Sequence, residues 1–526
     1  MNTKINQYIS AGIVLLMLGM LSACSDFLDQ NPQTALTPEQ VFGNPEYVEP
    51  VVDGLYTSFR GTKHGREGWS LQMVGLDESK QGEVQMNDAE QSGLDYYNGA
   101  LNGTHSKVTA FWDRRLPVIS QATTTISSLD DALNSIQNEG LQASIRQLKG
   151  NVCFVRGSLM YELTMLWGEV PVFDEELTST GRQALSVVWE QIFSDFTYAA
   201  ENLPDQQADK PTRATSGAAF AMLGKAYMSA PIETELRDFG KAKECFEKIR
   251  SRYSLDTNYA NLFSENLKFN SPESVFEFNF TCDWTGYSCW QWDMGSRTIA
   301  NALGEPCYFG GYDVALPTEY AYKMKSEGGV WEEGDLRRNV AMRFDFTYMG
   351  IPFTTPAWGA DELDPHIKKW EDIRTDALLG TNEAPTKSFY LSGKNYMYLR
   401  YADILLSLAE CMNELGQTSE AVTVVNEVRA RAWGGTLPSD KQWNALSQDE
   451  FRNQIMDERI RELCFEGWRR IDLIRTGKFV ELIKERNPWA KQSGTIQPYN
   501  MRYPIPDKEI RTNDDMSPED QNPGYN

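Results

Sequence analysis

The chain has 526 residues, of which 41% are hydrophobic and 24% charged, and it contains 50 basic and 74 acidic side chains. This length and composition exclude a small fold that depends on disulfides or metals, and they exclude a disordered chain. We expect one large domain with an insertion, or two closely packed domains. The formal charge of −24 argues against nucleic acid or anionic lipid as the main partner.

Residues 1–23 have the pattern of a secretory signal peptide. Lys4 precedes an apolar run at 13–21, and this run is too short to cross a bilayer of about 30 Å. The tetrapeptide Leu21-Ser22-Ala23-Cys24 resembles a bacterial lipobox, so we predict that Cys24 is lipidated. Residues 24–37 would then form a lipid-anchored tether on an exported protein.

From residue 38 to 260 a helical period dominates, interrupted at about 60–105 by a polar stretch that predicts a ligand loop. The spacing Leu223-Gly224-x-x-Tyr227, followed by Ala242-x-x-x-Phe246, is typical of a tetratricopeptide helix pair. In such a pair small residues let two helices approach while Tyr227 and Phe246 fill the space between them. Further members of the array are predicted at 149–167 and 185–203.

Between 261 and 395 the helical period is lost. Ser274 to Phe280 alternates with period two and predicts a short strand, and loops follow. Periodicity returns in 396–526, where a helix beginning at Tyr398 and ending at Gly416 predicts a second repeat pair. The predicted fold is mainly α: a tetratricopeptide-type helical repeat scaffold with an irregular, loop-rich inserted subdomain that contains short strands.

Four segments carry a family resemblance. The first comprises FLD at 27–29, LTPEQVF at 36–42 and DGLY at 53–56, and the second comprises YLRYADILL at 398–406 and AE at 409–410. The third is ERxRELxFEGxRxxDLxRTG at 458–477, and the fourth comprises YPIP at 503–506 and QNPGY at 521–525. In these segments the chain resembles the SusD/RagB family of outer-membrane nutrient-binding lipoproteins. The resemblance implies a surface-exposed location on the outer membrane through a lipid anchor. It also implies a SusC-like, TonB-dependent barrel that receives the ligand.

Candidate ligand residues lie in the two irregular stretches. Sugar rings stack their C–H faces on aromatic side chains, while nearby polar groups bind the hydroxyls. Burial is the commoner fate of any one ring, but at least two rings are expected to face ligand. The predicted ligand-binding residues are Trp69, Asp77, Tyr96, Tyr97, Asn98, Trp284, Tyr287, Trp290 and Trp292, and weaker candidates are Tyr308, Phe309, Tyr312, Trp331 and Trp358.

No catalytic site, cofactor or metal site is predicted. The sequence contains no G-x-S-x-G, H-E-x-x-H or P-loop motif, and its three histidines are widely scattered. Asp77-Glu78 and Asn87-Asp88 are the only tempting carboxylates for glycoside hydrolysis, and a role in hydrogen bonding or as solvated loop is favoured for them.

Two further features concern the structure: the charged pairs of residues 457–477 are interpreted as structural, and the pairing of the cysteines is left open. The segment Asp457 to Gly477 is predicted to be one helix in which Arg459, Glu462, Glu466 and Arg469 form pairs three or four residues apart. Seven cysteines follow Cys24. A disulfide among Cys282, Cys289 and Cys307 is possible, but the sequence does not choose a pairing.

The sequence therefore predicts a non-enzymatic, cell-surface protein that binds an oligo- or polysaccharide and delivers it to a SusC-like transporter. Three alternatives stay open: an oligopeptide-binding member of the same family, a tetratricopeptide lipoprotein that scaffolds the envelope, and a hydrolase. The net charge disfavours an acidic polysaccharide unless a local basic patch exists.

Overall fold

The computed structural model describes residues 38–173, 179–207, 209–265, 268–297, 299, 307–348, 350–353, 365–376 and 391–525. The predicted signal peptide, the lipidation site Cys24, the tether at 24–37 and the weaker candidate Trp358 lie outside the described residues. Within these ranges, no helix combines the length and apolar character needed to span a membrane.

Helices dominate the described part of the chain. They are α1 Pro38–Phe42, α2 Pro45–Gly61, α3 Arg66–Met73, α4 Glu83–Met86, α5 Gly93–Tyr96, α6 Ser106–Asp113, α7 Leu116–Ser135, α8 Glu139–Trp167, α9 Leu185–Asn202, α10 Ser216–Ser229, α11 Phe239–Ile249, α12 Trp290–Met294, α13 Glu319–Tyr322, α14 Arg337–Ala341, α15 Tyr401–Glu414, α16 Thr418–Ala432, α17 Gln448–Leu463, α18 Arg469–Arg475, α19 Phe479–Arg486, α20 Pro488–Ser493 and α21 Asp507–Thr512.

The strands are short and pair two by two. They are β1 Ser79–Lys80, β2 Pro171–Phe173, β3 Ser179–Arg182, β4 Ser274–Phe278, β5 Leu316–Pro317, β6 Met342–Arg343, β7 Phe346–Tyr348, β8 Ile351–Phe353, β9 His366–Ile367 and β10 Tyr396–Arg400. The antiparallel pairs are β1 with β5, β2 with β3, β4 with β10, β6 with β9, and β7 with β8.

The repeat scaffold is a row of helices. Helices α8, α9, α10, α11, α15 and α16 pack in this order, each on the next, and α2 and α7 pack on α8. Because α11 packs directly on α15, the long intervening segment projects from the row without interrupting it. This arrangement confirms the predicted mainly α, tetratricopeptide-type fold.

The predicted helix pair is present as α10 and α11. A Cβ added to Gly224 would lie 2.6 Å from Cε1 of Phe246, so the absence of a side chain permits the close approach. Tyr227 differs from its predicted place between the two helices, because it stacks on Phe193 of α9 with ring centroids 4.4 Å apart. Gly224 and Tyr227 of α10 therefore contact its two neighbours, α11 and α9 respectively.

The segment between α11 and α15 is closed at its base by strands β4 and β10, with Tyr396 opposite Phe278. The predicted strand at 274–280 is confirmed over 274–278, but both of its faces are buried, and Glu277 is among the buried residues. Residues 398–400 belong to β10, so α15 begins at Tyr401 and not at Tyr398 as predicted. Pairing with β4 keeps these residues extended.

The predicted single helix from Asp457 to Gly477 is wrong. Helix α17 ends at Leu463 and α18 begins at Arg469, because Phe465 and Gly467 between them have positive φ angles of 62° and 84°. Arg459 donates to Asp403 at 2.7 Å and to Asp472 at 2.7 Å, and it does not pair along its own helix with Glu462. Its partners lie on α15 and α18, so the pairs join separate elements.

Glu462 lies in a buried cluster of charges. Its carboxylate accepts hydrogen bonds from Arg337 at 2.9 Å and Arg400 at 2.6 Å, and from Arg431. Removing one partner from such a cluster leaves an uncompensated buried charge. We call this cluster the central ion network, and its members are Glu273, Arg337, Lys369, Arg400, Arg429, Arg431, Glu458, Glu462 and Glu466.

The cysteines of the described ranges are free thiols. Cys282 and Cys289 are partly exposed, and Cys307 is buried. The disulfide that the sequence left open among these three is therefore not formed.

Candidate ligand-binding site

Burial argues against ligand contact for three of the predicted aromatic residues. Trp69 is 1% exposed and donates its indole N–H to the Asp293 carboxylate at 3.3 Å. Trp290 is 2% exposed and donates to the Lys63 carbonyl at 3.0 Å. Tyr97 is also buried, and its hydroxyl donates to a backbone carbonyl of the protein. Rings whose faces and polar atoms are used inside the fold present no surface to a sugar.

Asp77 is likewise used inside the fold. Its carboxylate accepts from Arg469 Nε at 2.8 Å and from Arg486 Nη1 at 3.2 Å. Burial alone would raise the pKa of Asp77, but these two arginines lower it below its usual value. Asp77 therefore anchors α18 and α19 to the 60–105 segment, and it is not positioned to contact a ligand or to act as an acid.

The neighbouring carboxylates do not form a hydrolytic pair. Glu78 is buried and accepts the backbone N–H of Phe465 at 3.0 Å, and burial raises its pKa to about 8. Asp88 is exposed, and its Oδ1 accepts the N–H groups of Glu90 and Gln91, each at 2.9 Å. The Glu78 carboxyl is therefore enclosed by protein, and the Asp88 carboxylate stabilises a turn, so the two do not face a common substrate position.

Tyr96 and Asn98 lie beside helix α20. The Tyr96 ring packs edge-on against Trp489 at 6.1 Å, and its carbonyl accepts from Ser493 at 2.8 Å. Asn98 is exposed, and its side chain accepts the N–H of Ala100 at 3.0 Å. In the part of the chain that the structure describes, no contact joins these two residues to the predicted rings at 284–292.

Trp284 and Tyr287 form the first half of an exposed aromatic site. Trp284 is 63% exposed and meets the partly exposed Tyr287 ring edge-on at 5.7 Å. The turn that carries them is fixed by Asp283, whose carboxylate accepts the N–H groups of Thr285 at 2.8 Å and Gly286 at 3.1 Å. Hydrogen bonds to Thr285, followed by those to Thr281, lower the pKa of Asp283 to about 2.

Trp292 and Tyr312 form the second half. Both are partly exposed, and their rings stack at 6.1 Å with an interplanar angle of 20°. Trp292 lies on α12 and follows the buried Trp290 by two residues, so successive tryptophans of one short helix face opposite environments. Of the other weaker candidates, Phe309 and Trp331 are buried and Tyr308 is partly exposed.

The two halves are joined by residues that precede and begin α3. The His64 ring meets Tyr287 edge-on at 4.5 Å, and its Nδ1 lies 2.9 Å from the Tyr287 carbonyl oxygen. Arg66 forms an ion pair with Asp293 at 2.8 Å and lies over the Tyr312 ring at 5.1 Å. We call this surface the aromatic surface: His64, Arg66, Trp284, Tyr287, Trp292 and Tyr312.

His64 and Arg66 were missed by the sequence prediction. The signal available was only their place in the 60–105 stretch, because their ring partners lie more than 200 residues away along the chain. Burial, followed by the nearby Arg114 and Arg60, lowers the pKa of His64. His64 is therefore neutral at pH 7, and a neutral imidazole can both donate and accept a hydrogen bond.

The side chains of the aromatic surface offer groups that can bind a ligand. Rings at two positions offer flat apolar faces, and a guanidinium and an imidazole between them offer hydrogen bonds. Within the described ranges, no three His, Cys, Asp or Glu side chains converge to hold a metal ion.

A cleft of about 780 Å³ lies elsewhere, on the repeat scaffold. It is bordered by the C-terminal ends of α10 and α15 and by α17 and α18, and it includes none of the predicted ligand residues. Arg237 and Arg502 in its wall donate to backbone carbonyls, for example to Ala230 at 2.6 Å and Thr164 at 2.8 Å. The cleft combines apolar side chains such as Met228 with these cations and with acidic side chains such as Glu233 and Glu235.

Comparisons with known proteins give a consistent result. Residues 26–228 match a family described as starch-binding and associating with the outer membrane, and residues 320–525 match the SusD family. SusD-like protein P2 of Formosa agariphila is 28% identical over 98% of both chains. A SusD homolog from Bacteroides thetaiotaomicron has a TM-score of 0.74 at 20% identity, covering 93% of this chain and 98% of that one.

A laminarin-binding SusD-like protein is also similar in fold, with a TM-score of 0.71 at 22% identity. The alignment covers 91% of this chain and 99% of that protein. The rings of the aromatic surface at positions 284–312 lie between the two segments that match family models.

Proposed function

Because the chain belongs to the SusD family, we propose that it binds an oligo- or polysaccharide at the aromatic surface without converting it chemically. The observation that carries the proposal is the exposed Trp284 ring, held on a fixed turn beside Tyr287 and His64. A rigid exposed ring loses little conformational entropy when a sugar stacks on it.

The relatives support this proposal through what their names state. One matched family is described as starch-binding, and one protein of similar fold as laminarin-binding. These ligands belong to those proteins. For this chain they favour a carbohydrate over other ligands that stack on aromatic rings.

We further propose that the protein is lipid-anchored at Cys24 on the cell surface and delivers its ligand to a SusC-like, TonB-dependent outer-membrane barrel. The lipobox-like residues at 21–24 and the family's described association with the outer membrane support this location. The partner is carried over from the family resemblance.

The alternatives fit the structure less well. A scaffold without a ligand site has no reason to keep four partly or fully exposed rings together with a guanidinium and an imidazole. A hydrolase would need free acid and base groups, whereas Asp77 is held by two arginines.

An oligopeptide is the second candidate ligand, and the cleft on the repeat scaffold favours it. Its volume of about 780 Å³ suits a small ligand, and Arg237 and Arg502 could pair with a carboxylate. The two candidates predict binding at different places and can be separated by mutation.

The test is binding of polysaccharides to the full chain purified in detergent, measured by calorimetry. Saturable binding to one glycan class is expected, and Trp284→Ala should weaken it about fivefold, because an aromatic contact contributes about 1 kcal/mol. Tyr47→Ala is the control, since Tyr47 is 45% exposed and lies on α2 outside the site. No glycan binding, or binding that Trp284→Ala leaves unchanged, would overturn the proposal. Peptide binding lost on Arg237→Ala would replace it with the second candidate.

A further inference from the structure

Several arginines surround the aromatic surface, although the chain as a whole is strongly acidic. Arg60 Nη1 donates to the Asn279 carbonyl at 3.4 Å, and it would lie 3.6 Å from a Cβ placed on Gly286. Its guanidinium therefore lies against the turn that presents Trp284. Arg297 lies at the other end of the surface, over the Tyr312 ring at 5.7 Å.

Neither of these two arginines forms an ion pair with another described residue. Among the described residues, neither Arg60 nor Arg297 has an acidic oxygen within ion-pair distance, and both side chains are partly exposed. Arg66, in contrast, pairs with Asp293 at 2.8 Å. An arginine without an ion-pair partner keeps its positive charge and its remaining N–H donors for a ligand.

The nearby acids are already engaged. Glu67 pairs with Lys107 at 2.9 Å and with Arg114 at 3.4 Å. The Asp283 carboxylate accepts the N–H groups of its own turn. Asp53, which borders the same cavity as Arg60, pairs with Arg213 at 2.6 Å, and Asp313 accepts the backbone N–H of Arg297 at 3.2 Å. The guanidinium groups of Arg60 and Arg297 therefore have no ion pair among the described residues.

Arg66 and Arg297 also share one ring. Their guanidinium carbons lie 5.1 and 5.7 Å from the centroid of Tyr312. An anion bound beside this ring would be attracted by both guanidinium groups. Guanidinium groups bind carboxylate and sulfate-like oxygens through paired hydrogen bonds.

We propose that the aromatic surface takes a glycan that bears anionic groups, uronate carboxylates or sulfate esters, with Arg60 and Arg297 as the residues that determine this preference. The inference rests on the proposed function. The rings bind the faces of the sugar units and the arginines bind their acidic substituents. The chain's charge of −24 describes the whole molecule, whereas the preference depends on the arginines at this one surface.

The test uses glycans that share a backbone and differ only in charge. Dextran, hydroxyethyl cellulose and laminarin are each offered beside a carboxymethylated and a sulfated derivative, to the full chain in detergent. The derivatives should bind at least about tenfold more tightly than their neutral parents at low salt, and the difference should shrink as salt is raised. The carboxymethylated and sulfated arms distinguish the two anions.

Matched variants locate the preference. Arg60→Gln/Arg297→Gln should remove about tenfold of the affinity for anionic glycans and leave that for neutral ones within about twofold. Arg60→Lys/Arg297→Lys should retain part of the preference, because it keeps the charge and loses only the paired geometry. Arg146→Gln/Arg511→Gln is the control, since it makes the same charge change at two exposed arginines outside the surface.

The outcomes separate this inference from the proposed function. Neutral glycans that bind as tightly as their charged derivatives, with binding lost on Trp284→Ala, would overturn the anionic preference and leave the glycan site standing. Loss of anionic binding in the control double variant equal to that in Arg60→Gln/Arg297→Gln would also overturn it. Failure of every glycan to bind would overturn both.

Discussion

Arginine side chains occur both in the central ion network and around the aromatic surface, but their surroundings differ. In the network the charged groups are buried, and Glu462 pairs with three arginines. At the aromatic surface Trp284 is 63% exposed, and Arg60 and Arg297 have no acidic partner in the described ranges. Arginines paired inside the fold stabilise the helical scaffold, whereas the proposal gives Arg60 and Arg297, beside the exposed rings, a role in recognition.

The position of the motifs agrees with this difference. The most specific of the family-like segments, residues 458–477, supplies Glu458, Glu462 and Glu466 to the network. Trp284, Tyr287 and Trp292 come from the inserted segment, which shows no comparable motif. The network therefore draws on the part of the molecule that resembles the family most strongly, while the rings at 284–312 lie between the two segments that match family models.

The largest expected effect is in the network. Glu462→Ala leaves Arg337, Arg400 and Arg431 facing one another without their shared carboxylate. We expect the free energy of unfolding to fall by about 3–5 kcal/mol, measured by urea denaturation. Glu481→Ala is the control, since this exposed carboxylate only pairs with Lys478 at 3.1 Å, and its loss should cost under about 0.5 kcal/mol. Equal effects would show that the network contributes no more than a surface ion pair.

A second prediction concerns Glu78, a buried acid beside the network. Burial raises its pKa to about 8, above the value of about 4.5 expected in the unfolded chain. Its contribution to stability is therefore present below about pH 4.5 and is lost as the pH rises through about 8. Glu78→Gln removes the ionisable group, so the variant should gain about 4 kcal/mol relative to the wild type between pH 5 and pH 9.

Urea denaturation of both proteins at several pH values measures this difference. Glu201→Gln changes an exposed carboxylate on α9 and serves as the control, with a difference that does not vary with pH. A wild-type to Glu78→Gln difference that is also constant with pH would show that Glu78 stays ionised in the folded protein.

The sequence predicted local features well and long-range ones poorly. The spacing of Gly224 and Phe246 was enough to identify a helix pair, because both partners lie within one supersecondary unit. The pairing of Arg469 with Asp77 spans 392 residues, and no local spacing indicates it. Asp77 therefore looked like a ligand residue in a polar loop.

The same reason explains the errors among the tryptophans. Trp290 and Trp292 are two residues apart and chemically identical, so the sequence treats them alike. Trp290 is buried because its indole reaches the Lys63 carbonyl and packs on Trp370 at 4.6 Å. Which ring faces inward depends on segments that arrive from elsewhere in the chain.

A third prediction tests the apolar packing between helices α10 and α11 of the repeat scaffold. Gly224→Ala places a methyl group 2.6 Å from the Phe246 ring, and we expect a loss of about 2 kcal/mol from overpacking. Gly54→Ala is the matched control, because Gly54 lies inside α2 with no atom within 4 Å of an added Cβ. That change should stabilise the protein by about 0.5–1 kcal/mol. A loss at both positions would show that the contact with Phe246 is not the cause.

The smallest expected effect on stability is at Trp284. Trp284→Ala should change the free energy of unfolding by less than about 0.5 kcal/mol, because the ring is 63% exposed. Trp290→Ala, six residues further along, should cost about 3–5 kcal/mol because it empties a buried site. Thermal and urea denaturation of the two variants compare them directly. If Trp284→Ala destabilised the protein as much as Trp290→Ala, the exposed ring would be needed for folding. The proposed distinction between the scaffold and the aromatic surface would then be wrong. If it weakens only glycan binding, the ring is present for the ligand.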